Sequence, residues 1–204
     1  MKKIINKIAL IGLLFLSTSA FSQGGGYWNF QWNIAFPTGD TKDFISKASL
    51  RGFGLEGRGF VTDQLLVGGR IAWNVFYENY ENLTQQVNET TVINGYTKKY
   101  LNAMPLMLTG HYEFNQHGGS VLPYIGVGLG TYYMQARDFV GIYYVQENVW
   151  HFGFYPEVGV VVPIGGSTSN TGINAAVQYN MAAKTQNNPG QSWIGLNLGI
   201  TYIF

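Results

Sequence analysis

The sequence predicts an all-β fold: an N-terminal signal peptide followed by an eight-stranded antiparallel up-and-down transmembrane β-barrel. Three observations lead to this prediction. Apolar and polar residues alternate with a period of two over segments of about ten residues. Short and longer connections alternate between these segments, and large aromatic residues recur near the segment ends. The charged fraction is only 11% and the aromatic fraction is 16%, and both are unusual for a soluble domain.

Residues 1–22 have the composition of a secretory signal. Three lysines precede an apolar run from Ile8 to Leu16, and Ala20-Phe21-Ser22 is a small-x-small cleavage site. The run is too short to span a bilayer, which argues against an uncleaved anchor. Residues 23–204 are then the barrel domain. Without the three signal lysines the chain has 9 basic and 11 acidic residues, and this net charge of −2 gives no electrostatic argument for binding nucleic acid or an anionic surface.

Eight segments carry the alternation, and each predicts one strand. The apolar positions of the first four run from Trp28 to Phe36, Phe53 to Val61, Leu65 to Tyr77 and Met104 to Phe114. Those of the last four run from Ile125 to Tyr133, Trp150 to Val162, Ile173 to Met181 and Leu196 to Phe204. In the fourth segment Asn102 falls on the apolar side and Pro105 cannot donate a ladder hydrogen bond, so we expect a bulge or a weakened pair there.

Alternation alone fits a soluble barrel with an apolar interior equally well. Connection lengths favour the membrane form, in which short periplasmic turns alternate with longer outer loops. The short connections are 62–64, 115–120 and 163–171, the longer polar ones are 37–49 and 79–98, and those at 138–146 and 184–191 are intermediate. Large aromatics on the apolar side form two groups, as interfacial girdles do. One group is Tyr77, Tyr133 and Trp150, and the other is Trp28, Tyr112, Phe114 and Tyr202.

The chain ends in the sequence GLNLGITYIF, inside a predicted strand. If the eighth strand pairs with the first, this end leaves no exposed apolar edge. The alternating residues Leu198, Ile200, Tyr202 and Phe204 resemble the C-terminal signal by which the assembly machinery recognises outer-membrane barrels. This resemblance implies the assembly machinery as a partner.

Three further segments carry a family resemblance. Residues 36–40 (FPTGD), 123–130 (PYIGVGLG) and 156–159 (PEVG) resemble the small OmpW/OmpA-like outer-membrane β-barrel families. The resemblance covers essentially the whole chain after the signal. It implies the outer membrane of a Gram-negative cell, contact with outer-membrane lipid and lipopolysaccharide, and a monomer without a cofactor. It says little about activity, because such barrels serve as anchors, adhesins, narrow conduits and enzymes.

The polar side of the strands collects most of their charge. Its charged and histidine residues are Glu56, Arg58, Arg70, Glu78, Glu113 and Glu157, with His111 and His151. An arginine near the midplane of the lipid face would cost about 2–4 kcal/mol, so we expect these side chains in the lumen. A three-residue turn between the second and third strands pairs Val61 with Leu65 and places Glu56 opposite Arg70. A five-residue turn would instead oppose two arginines, which is unfavourable.

Two roles remain open for this predicted lumen network. The lumen of an eight-stranded barrel is just wide enough to be filled by side chains, and buried charges must be paired, so the network can be structural. Alternatively, the Glu56–Arg70 pair and its neighbours can exchange partners and act as a gate for water or ions. Phe76 and Trp193 are candidates for an apolar pocket in the outer lumen. The OmpW resemblance implies that such a pocket is part of a route for small apolar molecules. The two residues can equally plug it.

A catalytic or metal site is not predicted. A hydrolase needs serine, histidine and a carboxylate within hydrogen-bond reach, and no serine accompanies His111 or His151 on a neighbouring strand position. Two histidines with scattered glutamates offer too few converging metal ligands. The sequence therefore predicts a non-enzymatic membrane protein with a structural or surface-interaction role. A narrow passive conduit for small solutes or small hydrophobic molecules is the alternative.

Overall fold

The computed structural model describes residues 25–88, 91–115, 119–140, 143–165, 170–186 and 188–204. The predicted signal peptide and its cleavage site lie outside these residues.

The described residues form a closed barrel in which each strand pairs antiparallel with the next and β1 pairs with β8. The strands are β1 (Gly26–Thr38), β2 (Gly52–Phe60), β3 (Leu65–Asn88), β4 (Thr91–Glu113), β5 (Leu122–Val140), β6 (Tyr143–Pro163), β7 (Thr171–Ala182) and β8 (Gln191–Ile203). A short helix, α1 (Gly39–Phe44), follows β1. No helix in the described part of the chain is both long and apolar enough to cross a membrane. The predicted fold class, an eight-stranded antiparallel up-and-down barrel, is confirmed.

The two ends of the barrel differ. At one end, the turn end, β1 and β8 close with two hydrogen bonds: the Gly26 N–H donates to the Phe204 carbonyl (2.9 Å) and the Phe204 N–H donates to the Gly26 carbonyl (3.0 Å). The short β2–β3, β4–β5 and β6–β7 connections also lie there. At the other end, the hairpin end, β3–β4 and β5–β6 form long hairpins, and the segment from 39 to 50 joins β1 to β2.

The long connections were predicted wrongly. The sequence predicts loops at residues 79–98 and 138–146, but the ladder of β3 with β4 extends to Asn88 and Thr91, and that of β5 with β6 extends to Val140 and Tyr143. Connection 37–49, expected as a polar loop, contains α1 and buries Thr41 and Ile45 completely. In these segments neither face is consistently apolar, so the period-two signal that marks a membrane-facing strand is missing although the backbone pairing persists.

As predicted, the apolar residues of the alternation face outward and the polar residues face the lumen. Outward-facing Phe30 and Leu108 expose 59% and 71% of their surface, whereas inward-facing Asn29 and Arg70 expose 0% and 2%. The aromatic groups lie at opposite ends: Trp28 pairs with Tyr202 at the turn end, and Tyr133 pairs with Trp150 toward the hairpin end. The alternative of a soluble barrel with an apolar interior and a charged exterior is therefore wrong.

The registers of β2 with β3 and of β3 with β4 agree with the predictions, which rested on the charges of Glu56 and Arg70 and on Pro105. The Val61 N–H donates to the Leu65 carbonyl (2.8 Å), and Glu56 lies opposite Arg70. Between β3 and β4, paired positions stop at Ile71 and resume at Asn74 without a shift, so the ladder lapses beside Pro105. This is the weakened pair that the sequence predicted.

Candidate functional site

Arg58 on β2 is the centre of a buried ionic layer. Its Nη2 lies 2.7 Å from Glu56 Oε2 on the same strand and 3.1 Å from Glu157 Oε1 on β6, across the lumen. The same nitrogen donates to the Tyr124 hydroxyl (3.2 Å), and the guanidinium lies 4.4 Å from the centre of that ring. The guanidinium thus ties three strands together.

Arg70 on β3 contacts the second carboxylate oxygen of Glu157. Its Nη1 lies 3.4 Å from Glu157 Oε2, and its Nη2 donates to Asn33 Oδ1 at 3.4 Å. The guanidinium stands 5.8 Å from the Tyr155 ring centre. Glu157 therefore bridges both arginines. The register places Glu56 opposite Arg70 as predicted, but the ion pair that Arg70 forms is with Glu157 on the far side of the lumen.

His111 on β4 completes the layer. Its Nε2 lies 3.5 Å from Glu56 Oε1 and 3.4 Å from Glu157 Oε1, and its ring packs edge-on against Tyr124 at 5.4 Å. With a neutral imidazole, two arginines balance two glutamates, so the buried layer has no net charge. Charge balance of this kind is what burial away from water requires.

Lumen-facing glycines seat the rings of this layer. Gly126 pairs with His111, Gly128 with Tyr155, and Gly159 with Tyr124. A Cβ built at any of these three glycines would collide with the ring of its cross-strand partner. Rings lying over paired glycines are a known way of stabilising sheets where a side chain is missing. The room that the glycines leave is thus occupied by neighbouring rings.

We predict that Gly126→Ala lowers the free energy of unfolding by about 1–3 kcal/mol, because the new methyl group displaces the His111 ring. Urea unfolding of the refolded protein in detergent micelles measures this. Gly110→Ala is the matched control, since a Cβ there meets nothing within 4 Å. The loss should shrink in a His111→Ala background. Equal effects of the two glycine substitutions would contradict the assignment.

An apolar layer lies on the hairpin side of the ionic layer. Phe76 and Trp193, the predicted pocket residues, pack edge to face with ring centres 5.8 Å apart. Tyr132 packs on Trp193 at 5.4 Å, and Ile45 from the β1–β2 segment is fully buried in the same cluster. The pocket residues therefore contact one another directly.

Three of the predicted lumen residues lie outside the ionic layer. Glu113 is at the turn end, where its Oε2 accepts a hydrogen bond from the Tyr27 hydroxyl (2.8 Å). The His151 Nδ1 is 2.7 Å from the Ala183 carbonyl. Glu78 lies at the hairpin end, where its carboxylate accepts hydrogen bonds from the Ser46 N–H (2.6 Å) and the Tyr80 hydroxyl (2.8 Å). All eight predicted residues are buried, five of them in the ionic layer and these three at other levels. Their role as a lumen network or gate stays a prediction.

Sequence reasoning missed the neutral partners of the ionic layer. Asn33, Tyr155 and Asn174 sit at inward positions, and the Asn174 side chain donates to the Tyr124 hydroxyl (3.0 Å). Their inward parity was visible in the alternation, but parity does not say which residues meet across a barrel. The C-terminal residues Leu198, Ile200, Tyr202 and Phe204 all face outward with 37–60% of their surface exposed. Their role in assembly stays a prediction.

Metal ligands converge in the ionic layer more than the sequence suggested. Ligand atoms of Glu56, His111 and Glu157 lie within 4.8 Å of one another. However, Arg58 and Arg70 already contact these carboxylates. A divalent cation would add charge to a layer that is already balanced, so this donor set does not suit a metal ion.

Comparison with known proteins identifies the fold. No family model and no curated protein matches the sequence. Among solved structures, Neisserial surface protein A (NspA) has a TM-score of 0.55 at 16% identity, with 88% of this chain and 97% of that chain covered. Ail, the attachment invasion locus protein of Yersinia pestis, in complex with the heparin analogue sucrose octasulfate, has a TM-score of 0.50 at 15% identity, with 88% and 97% covered.

These similarities concern the fold. The eight-stranded barrel fold that the predicted OmpW/OmpA-like resemblance implies is confirmed, and membership of either family stays a prediction.

Proposed function

We propose that this chain is an integral outer-membrane protein that anchors its hairpin end at the cell surface and does not conduct solutes. The observation that carries the proposal is the filled lumen. Side chains of the ionic layer each expose 4% of their surface or less, and the layer is bounded on the hairpin side by the Phe76–Trp193 cluster. On the turn side lies a second buried cluster around Tyr27, Phe60 and Leu66. Such packing suits a rigid anchor.

The two ends of the barrel support an orientation. Short turns face the periplasm in barrels of this class, and longer segments face outward. We therefore place the hairpin end outside, where the β3–β4 and β5–β6 hairpins form a raised sheet available to a surface partner. The continuous apolar exterior requires contact with outer-membrane lipid, and outside the cell that lipid is lipopolysaccharide. We also propose a monomer that is recognised by the assembly machinery through its C-terminal strand.

A non-enzymatic role is supported by the surroundings of the two histidines. The described contacts of His111 are carboxylates and the Tyr124 ring, and those of His151 include the Ala183 carbonyl. Neither arrangement pairs a histidine with a hydroxyl nucleophile within the described residues, as a hydrolase would need.

Planar-bilayer recording tests the proposal. We predict a flat, voltage-independent baseline for both the wild type and Glu56→Ala, because the apolar clusters on either side of the ionic layer stay in place. Heat-modifiable electrophoretic mobility of the same samples verifies that the protein is folded, and protein-free detergent gives the blank. Stepwise conductance in the wild type that changes in Glu56→Ala would overturn the proposal.

That contrary outcome would support the runner-up, a narrow passive conduit. One observation favours it. Glu56 Oε1 and both ring nitrogens of His111 are buried without a hydrogen bond of good geometry to another described residue. Leaving a buried polar atom without a hydrogen bond costs free energy. The carboxylates of this layer can therefore gain by switching between His111 and the arginines, which is the movement a gate would need. The conduit would pass small solutes or small hydrophobic molecules.

A further inference from the structure

Polarity of the outward face changes sharply beyond the aromatic row at the hairpin side. Tyr133 lies in that row, between Met104 and Trp150. The next outward row along the strands is Val75, Asn102, Gln135 and Asn148, and the row after it is Tyr77, Tyr100, Arg137 and Gln146. The face that is apolar over the membrane span therefore becomes rich in amides and then basic and aromatic, at the level where lipid headgroups begin.

Three cations lie on this outward surface among aromatic rings. The Arg51 guanidinium stands 5.7 Å from the Tyr77 ring centre, and the Tyr77 and Tyr100 rings are 4.5 Å apart. Arg137 Nε donates to Gln146 Oε1 (3.0 Å), which fixes its side chain along the sheet. Lys98, one row farther out on β4, lies with its Nζ 5.2 Å from the Tyr96 ring centre. We call Arg51, Tyr77, Lys98, Tyr100 and Arg137 the rim patch.

The described carboxylates of the raised sheet share one of its faces, where Lys99 also lies. Glu78, Asp138 and Glu147 occupy positions of inward parity, whereas the described outward side chains of β3 to β6 beyond the aromatic row include no carboxylate. The ion pairs that link Glu56, Arg58, Arg70, His111 and Glu157 lie inside the barrel. The carboxylates nearest the rim patch in register therefore occupy the opposite face of the sheet from its cations. The net charge of −2 expected for the chain without its signal hides this local excess of positive charge.

We propose that the rim patch binds the phosphate groups of the glycolipid in the surrounding outer leaflet. Arginine presents a planar fork that fits phosphate oxygens, and lysine supplies a point charge. The patch continues directly from the lipid-facing band, so its occupant is a molecule whose acyl chains lie against that band. Aromatic rings beside the cations pack on the sugar and glycerol level of the interface. This inference rests on the proposed membrane location and orientation of the barrel.

Lipid A titration tests the inference. The refolded chain in detergent micelles is titrated with diphosphoryl lipid A, and retained lipid is followed by native electrophoresis. Removing a cation near a charged lipid surface weakens association about fivefold, so Arg51→Gln/Lys98→Gln/Arg137→Gln should bind roughly a hundredfold more weakly. The control Lys42→Gln/Lys47→Gln/Lys184→Gln removes the same charge from exposed positions elsewhere at the hairpin end and should bind like the wild type.

Two further arms identify the source of the phosphate. Lipid A with both phosphates removed should bind the wild type as weakly as diphosphoryl lipid A binds the triple variant. Inorganic phosphate should not compete at the concentration of lipid phosphate used, because it lacks the acyl chains. Equal binding by wild type and triple variant, an equal loss in the control variant, or full competition by inorganic phosphate would each overturn the inference.

Insertion into phosphatidylcholine vesicles separates this inference from the proposed function. Both the wild type and the triple variant should insert and acquire protease resistance in the barrel, since none of the three substitutions touches the lipid-facing band. A wild type that does not insert overturns the membrane function and this inference with it. A wild type that inserts but shows no phosphate dependence overturns the rim patch alone.

Discussion

Replacing Arg58 by alanine should lower the free energy of unfolding by about 3–5 kcal/mol, the range for removing one partner of a buried ion pair. The side chain is 1% exposed and contacts Glu56, Glu157 and the Tyr124 hydroxyl through one nitrogen. Its removal leaves two carboxylates with Arg70 as the remaining arginine in the layer. An uncompensated negative charge then stays buried in the lumen, and this, more than the lost contacts, produces the effect.

Urea unfolding in detergent micelles, followed by tryptophan fluorescence, measures this loss. Arg51→Ala is the matched control, because it removes an arginine from an exposed position and should change stability by less than about 1 kcal/mol. Arg58→Lys should give an intermediate loss, since lysine keeps the charge but not the fork. This variant also keeps the prediction testable if Arg58→Ala fails to refold. Equal stabilities of the Arg58 and Arg51 variants would show that the ionic layer does not stabilise the barrel.

The ionic layer also shows what the sequence could predict and what it could not. Pairing between adjacent strands follows from parity and turn length, so the position of Glu56 opposite Arg70 was predictable. The partner that Arg58 selects, Glu157, lies 99 residues away and across the lumen. Contacts of this kind depend on barrel closure and strand tilt, which no local pattern records. The charges could therefore be assigned to the lumen, but not to their partners.

The glycines of β5 also show that packing partners across strands do not follow from a local sequence pattern. Their spacing on the lumen side is visible in the sequence and marks positions without a side chain. In the structure, His111 and Tyr155 from the two flanking strands lie over Gly126 and Gly128. A glycine in a strand predicts that another group of the protein or a ligand approaches the backbone closely. Which side chain this is can be stated only when the cross-strand register is known. No charge pair or tight turn fixes the register of β4 with β5 in the sequence, so the rings that cover these glycines are known only from the structure.

The hairpin end was predicted least well, for a different reason. The membrane imposes a strict period of two only where one face meets hydrocarbon. Beyond the aromatic row both faces of β3 to β6 meet water or headgroups, so polar residues are tolerated on both sides and the pattern fades while the ladder continues. The raised sheet and α1 were therefore interpreted as loops.

Placing arginine at Leu108 should lower the free energy of unfolding in phospholipid vesicles by about 2–4 kcal/mol, the cost of a cation on the lipid face at the bilayer midplane. Leu108 is 71% exposed and lies on β4 midway between Tyr112 and Met104, each of which stands in one of the two aromatic rows. In water an exposed leucine tolerates arginine. The loss is therefore expected only because hydrocarbon surrounds this position.

Val145→Arg is the control that separates the effect of the surrounding medium from the effect of the arginine itself. Val145 exposes 65% of its surface, nearly as much as Leu108, but lies at the hairpin end beyond the aromatic row. Arginine there meets water, so stability in the same vesicles should stay within about 0.5 kcal/mol of the wild type. The difference between two equally exposed apolar positions then measures the medium around each. If both variants matched the wild type, the apolar exterior would not lie in hydrocarbon, and the inside-out arrangement of this barrel would need another explanation.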